Sequence, residues 1–215
     1  MLMEHDFWHS KWHKNEIGFH EPEGNALLVK HADTLLAAVS PRIFVPLCGK
    51  TKDIHWLLAN GCEVVGAELS EIAITQLFTE LDIEPEITTV GSLKLFKNGP
   101  LSIFVGDIFE LTDETLGNVT GVYDRAALVA LPTALREKYA AHICTITKLA
   151  PILLISFDYD QSVMPGPPFC VDETEVTRLY NASYSISLLE REPLEGGLKG
   201  KVAADSLVFN LQPEA

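Results

Sequence analysis

The chain has 215 residues, 47% hydrophobic and 21% charged, with a formal net charge of −14. That apolar content is enough to bury one full core and excludes global disorder. The acidic balance, without any dense lysine or arginine run, counts against nucleic acid and anionic membrane surfaces as partners.

The segment Met1-Leu2-Met3-Glu4-His5-Asp6 has neither the basic start nor the apolar core of a secretory leader. Runs such as Ile152 to Ser156 and Cys62 to Ala67 are far too short to span a bilayer. The expectation is a cytoplasmic, monomeric protein without heptads or internal repeats. Cys48, Cys62, Cys144 and Cys170 show no CxxC spacing and sit in or beside apolar segments, as reduced core cysteines do.

In chain order, His5 to Lys14 reads as a helix with Trp8 and Trp12 on one face. A loop follows through Pro22. Asn25 is set to cap a second helix whose apolar face includes Leu28, Ala32, Leu35, Leu36 and Val39. Arg42 to Leu47 is a continuous apolar run, hence a buried strand. Cys48-Gly49-Lys50 turns the chain into a helix from Asp53 to Ala59, stopped by Asn60-Gly61. Glu63 to Ala67 is a second buried strand, and Ser70 caps the helix after it. Leu93 to Lys97 and Leu101 to Val105 flank the turn Asn98-Gly99-Pro100. Val119 to Tyr123 is a further strand, and Pro132 opens a helix from Thr133 to Lys148. Ile152 to Phe157 is the next buried strand. Asp172 begins another helix, and Ile186 to Arg191 and Leu207 to Leu211 close the chain as strands.

Alternating helices and doubly apolar strands predict a mostly parallel sheet covered on both faces, with an antiparallel C-terminal edge. We expect a single domain over residues 1–215, its first forty residues forming a helical extension.

The constellation richest in chemistry begins at Val45-Pro46-Leu47-Cys48-Gly49-Lys50. A glycine just past a buried strand lets a ligand approach the backbone. Glu68, at the end of the next strand, is placed to accept from both hydroxyls of a ribose. Spacing alone leaves the alternative of a turn glycine and a solvated glutamate open. Gly49-Lys50-Thr51 resembles the end of a phosphate-binding loop, but Phe44 stands where that loop needs glycine, and no G-x-G-x-x-G occurs. A nucleoside ligand without a pyrophosphate, such as S-adenosylmethionine, suits this sparse glycine usage.

Asp107 and Ile108 follow a strand, where they would meet an adenine or serve as a cap and a core residue. Arg125 ends another strand. It either faces an anionic group or pairs with Asp124 or Glu68, because a buried guanidinium needs a partner. His5, His9 and His13 share a helical face, which reads as a polar surface rather than a metal site. Cys48 has no base paired with it by any local motif and reads as a small buried residue rather than a nucleophile.

Several of these segments together resemble the thiopurine S-methyltransferase family. They are Trp8-x-x-x-Trp12 with Gly18-Phe19-His20, Phe44 to Lys50, Val65 to Ser70, Asp124 to Pro132, and Tyr159-Asp160 with Pro165 to Phe169. The likeness runs in order from about Phe7 to about Tyr180. It implies a class I S-adenosylmethionine-dependent methyltransferase fold, Rossmann-like, with a seven-stranded sheet and helices on both faces. It implies methyl transfer to aromatic or heterocyclic thiols such as mercaptopurine; the alternatives are a methyltransferase for selenium or tellurium compounds or other small thiols, and a non-catalytic S-adenosylmethionine-binding protein. It further implies that Trp12, Leu47, Glu68, Ile108 and Arg125 line the cofactor, that Trp8 and Phe19 cover the acceptor, and that Arg125 stands where the two meet. Residues 1–40 would then roof the active site. Family members often carry an arginine near the acceptor in the C-terminal region, where this chain has Gly196-Gly197-Leu198-Lys199-Gly200-Lys201.

Overall fold

The computed structural model describes residues 2–17 and 20–214. The chain enters through helix α1 (Leu2–His13) and two short helices, α2 (Ala26–His31) and α3 (Asp33–Leu36). The alternating part follows: β1 (Arg42–Pro46), α4 (Lys52–Ala59), β2 (Glu63–Glu68), α5 (Glu71–Glu80), β3 (Glu86–Val90), β4 (Leu93–Asn98) and β5 (Leu101–Val105). It continues with α6 (Asp113–Leu116), β6 (Gly121–Arg125), α7 (Thr133–Ile146), β7 (Ile152–Tyr159), α8 (Glu173–Tyr180), β8 (Tyr184–Pro193) and β9 (Ala204–Pro213).

Among the described residues the sheet has nine strands, in the order β3-β4-β5-β2-β1-β6-β7-β9-β8. Its middle, β5-β2-β1-β6-β7, is parallel throughout. Antiparallel pairs extend it on both flanks, β4 and β3 on one side and β9 and β8 on the other. The expected α/β architecture with an antiparallel C-terminal edge is therefore present, but the count of seven strands is corrected to nine. The strand with no sequence signal is β3. Its residues Glu86 to Thr89 are exposed and Val90 only half-buried, so no apolar run or alternation marks it. Backbone pairing with β4 alone makes it a strand. The helix capped by Asn25 is also revised: it breaks at Ala32 into α2 and α3, and Val39 lies beyond both, fully exposed.

Adjacent residues of the inner strands point to opposite faces, and each face builds its own core. Phe44, Val65, Val122 and Leu154 pack with Tyr139 and Ile143 of α7 and Val176 of α8. Ile43, Val45, Val64 and Tyr123 pack with Leu28, Leu35, Leu57, Ile74 and Phe78 from α2 to α5. This two-sided burial is why the strands read as unbroken apolar runs. The strand order reverses at β1, between β2 and β6, and the carboxyl ends of the parallel strands open onto one rim there. Among the described residues no helix is long and apolar enough to cross a membrane.

Candidate active site

The turn after β1 forms the centre of that rim. Leu47 and Gly49 both take positive φ, 45° and 51°, and the N–H of Cys48 donates to the carbonyl of Ala67 at 3.0 Å. A Cβ on Gly49 would come within 3.1 Å of Cζ2 of the buried Trp12 indole. Glycine is therefore favoured twice here, for the backbone conformation and for the ring that rests on it.

Glu68, 6% exposed, ends β2 directly opposite. One carboxylate oxygen accepts the Gly49 N–H at 2.9 Å and the other the Ser70 N–H at 2.8 Å. Burial pushes this carboxyl up, while the N–H groups of Ser70, Gly49 and Leu69 pull it back down. Each oxygen keeps lone pairs beyond the bond it makes, so the group retains capacity for further donors. The solvated-glutamate alternative is thereby removed.

The end of β5 joins the same rim, because the Gly106 N–H donates to the Glu68 carbonyl at 2.9 Å. Asp107 caps the short turn Ile108–Glu110 by accepting the Phe109 N–H. Ile108 is buried in the same apolar cluster against which Leu47 packs. Nε2 of His142 lies 2.8 Å from the Ile108 carbonyl.

At the end of β6 the two neighbours Asp124 and Arg125 diverge, as successive strand residues do. Asp124, 1% exposed, turns toward α7 and accepts the Tyr139 hydroxyl at 2.7 Å and the Leu128 N–H at 3.1 Å. The Arg125 side chain, 10% exposed, pairs with Glu21 rather than with Asp124 or Glu68. Glu21 also accepts from the side-chain amide of Asn25 at 3.1 Å. The Asn25 backbone N–H in turn donates to Asp53 at 2.7 Å, and the buried Tyr123 hydroxyl donates to the other Asp53 oxygen at 3.0 Å.

Trp12, Leu47, Glu68 and Ile108 thus sit on one rim, with Arg125 on the next parallel strand. Trp8 is half-buried on α1 in edge contact with Phe7. Phe19 lies outside the described residues. Lys199 of the glycine-rich C-terminal loop donates to the Pro167 carbonyl at 2.7 Å. Desolvation, then the charges of Lys201 and Lys11, push its ammonium down.

Sequence reasoning missed Glu21, Asp53 and Tyr123 as parts of one assembly with Arg125. Asn25 carried a signal, its capping role, and it does accept from the N–H groups of Leu27 and Leu28. The contacts that tie the entry segment to the sheet join residues 28 (Asn25–Asp53), 70 (Asp53–Tyr123) and 104 (Glu21–Arg125) apart, beyond any local spacing rule.

A buried acid at the end of the second parallel strand, a glycine that admits a close approach, and apolar and indole walls suit a nucleoside that carries no pyrophosphate. The fold, together with the family that the chain matches, makes this an S-adenosylmethionine-dependent methyltransferase acting on a small-molecule acceptor. A Burkholderia thailandensis 1,6-didemethyltoxoflavin-N1-methyltransferase, solved with S-adenosylhomocysteine, is similar at 16% identity and a TM-score of 0.62, over 98% of this chain and 87% of that one. An S-adenosylmethionine-dependent methyltransferase from Anabaena variabilis is similar at 12% identity and a TM-score of 0.63, over 97% and 94%.

The chain belongs to the thiopurine S-methyltransferase family, whose description residues 3–205 match. It is 51% identical to the thiopurine S-methyltransferase of Xanthobacter autotrophicus over 211 residues, 98% of this chain and 99% of that one. It is 48% identical to that of Gluconobacter oxydans, over 96% and 94%. The likeness therefore extends past Tyr180 and includes the Gly196 to Lys201 loop.

Proposed function

We propose that the chain transfers the methyl group of S-adenosylmethionine to the sulfur of aromatic and heterocyclic thiols such as mercaptopurine. The observation that carries this reading is a nearly buried guanidinium, Arg125, one parallel strand away from the Glu68–Gly49–Trp12 cradle.

The cofactor, when bound, supplies a methyl group already activated on a sulfonium. Glu68 would accept from its ribose hydroxyls, Ile108 and Leu47 would floor its adenine, and Trp12 would close one wall. Arg125 holds the acceptor as its thiolate and keeps its sulfur in line with the methyl. Alignment of this kind supplies roughly 7–11 kcal/mol of a barrier. An ionised aromatic thiol needs no strong general base. Cys48, which burial keeps protonated, has no nucleophilic part. Helices α1 to α3 roof the site, with Trp8 over the acceptor to exclude water. The enzyme works as a monomer in the cytoplasm, with no nucleic acid or membrane partner.

The test is calorimetric titration with S-adenosylmethionine and S-adenosylhomocysteine, followed by turnover of mercaptopurine by wild type and Arg125→Ala. We expect both ligands to bind, methylated product to form, and the variant to lose roughly a hundredfold in turnover with a modest loss of cofactor affinity. Binding without thiol product, alongside methylation of a selenium acceptor, would replace the acceptor class. Unchanged kinetics in the variant would remove Arg125 from the mechanism.

A further inference from the structure

The partner of Arg125 is a residue of the entry segment, not of the sheet. Glu21 and Arg125 form an ion pair in which the guanidinium side chain is 10% exposed and the carboxylate side chain 42%. The acid is therefore the outer member, and an anion approaching from solvent meets a negative group before the positive one. Glu21 is held from behind as well: its second oxygen accepts from Asn25, whose backbone N–H is fixed on Asp53. His20, beside it, is pushed down by burial, then by the charges of Lys50, Lys52 and Arg125, with Glu80 acting the other way. Lys50 and Lys52 are both paired with Glu80, at 2.7 and 2.8 Å, and Asp53 stands behind Asn25, so Glu21 is the carboxylate that engages Arg125.

We propose that Glu21 is a specificity-determining residue, an internal anion that occupies Arg125 until an anionic acceptor displaces it. The inference rests on the reading that Arg125 faces the acceptor. Its consequence is discrimination by charge. An ionised thiol must take the guanidinium from a carboxylate anchored on the adjacent segment. A neutral thiol has no competing claim on Arg125, so removing the Glu21 charge changes its binding little.

Glu21→Gln tests this. Glutamine keeps the length of the side chain and an oxygen for Asn25, and it removes only the charge. The KM for para-nitrothiophenol, ionised at neutral pH, is compared with that for phenylmethanethiol, which is not. A partly exposed ion pair is weak, so the expected gain is a roughly threefold to fivefold fall in KM for the ionised acceptor. KM for the neutral thiol and the affinity for S-adenosylhomocysteine should stay within about twofold of wild type, well below that gain.

An unchanged or raised KM for the ionised thiol overturns the proposal, and so does an equal fall for both thiols, which would mean simple widening of the entrance. The double variant with Arg125→Gln should lose the advantage of Glu21→Gln, and persistence of that advantage is a further refutation. Arg125→Gln alone separates the two levels. If it leaves acceptor kinetics intact, the role of Arg125 fails. If it impairs them while Glu21→Gln is neutral, the displacement by charge fails alone.

Discussion

Glu68 shows how much of the site rests on single hydrogen bonds. Its carboxylate is buried, a state that costs free energy unless the group is fully engaged, and two backbone N–H groups from opposite sides engage it. Those same bonds fix the Gly49 turn against β2, so the residue that offers acceptors to a ribose also sets the shape of the cradle. Glu68→Gln replaces an acceptor oxygen with an amide donor facing Gly49 or Ser70. We expect it to weaken S-adenosylhomocysteine binding roughly tenfold to hundredfold, the range for losing a charge-assisted bond. Calorimetric titration measures this, and unaltered affinity would refute the ribose role. The position of Glu68 at a strand end was legible from sequence, because a buried parallel strand announces its own limits. Its burial was not, because that depends on the Cys48–Gly49 turn folding over it from nineteen residues away.

At the scale of elements, the entry segment is joined to the sheet by Asp53, in the first turn of α4. Thr51 caps that helix, which leaves the Asp53 carboxylate free to reach Asn25 and Tyr123. A Cβ on Gly24 would come within 3.1 Å of Asp53, so the chain passes close by here. Tyr123 precedes Arg125 by two on β6 and shares its face, and burial, then the Asp53 charge, push its hydroxyl up, which keeps it a donor. Asp53→Ala would strand the Tyr123 hydroxyl and the Asn25 N–H. A loss of about 1–3 kcal/mol in stability is expected. Amide exchange at Asn25, Leu27 and Leu28 should accelerate, since the Asn25 cap holds the start of α2. Exchange as slow as in wild type would show that packing of Leu27 and Leu28 suffices. In sequence, Asp53 reads only as an acid favoured at a helix start. The second half of its role depends on strands that meet it in space.

For the whole molecule, the clearest pH signature is that of Asp124. Burial raises its carboxyl from 3.8 to about 6, against the bonds from Tyr139, Leu128 and Ala127. The native state therefore holds this proton more tightly than the unfolded chain. Stability from this group is complete below about pH 4 and falls as pH rises to about 6. A shift of that size corresponds to about 3 kcal/mol. Asp124→Asn removes the titration while its amide can still meet Leu128 and Tyr139. Its thermal midpoint, measured relative to wild type, should climb between about pH 4 and about pH 6 and then level. Glu68, which burial also raises, contributes equally to both proteins and cancels in that difference. A difference that stays flat with pH would mean that burial does not raise the Asp124 carboxyl.

The sequence by itself determined the alternating α/β order, the five parallel strands and the turn residues at their ends. Each of these is dictated by local chemistry: doubly apolar runs such as Ile43 to Val45, a glycine past a strand, a serine or aspartate before a helix. Tertiary structure alone decided the nine-strand count, because Glu86 to Val90 has no apolar pattern and becomes a strand only by pairing with Leu93 to Lys97. It also decided that Arg125 is held by Glu21 and that Trp12 lies on Gly49. Those contacts join segments far apart in the chain: removing the indole from water favours one, and pairing the guanidinium with a carboxylate offsets the cost of its burial in the other, which no run of neighbouring residues encodes.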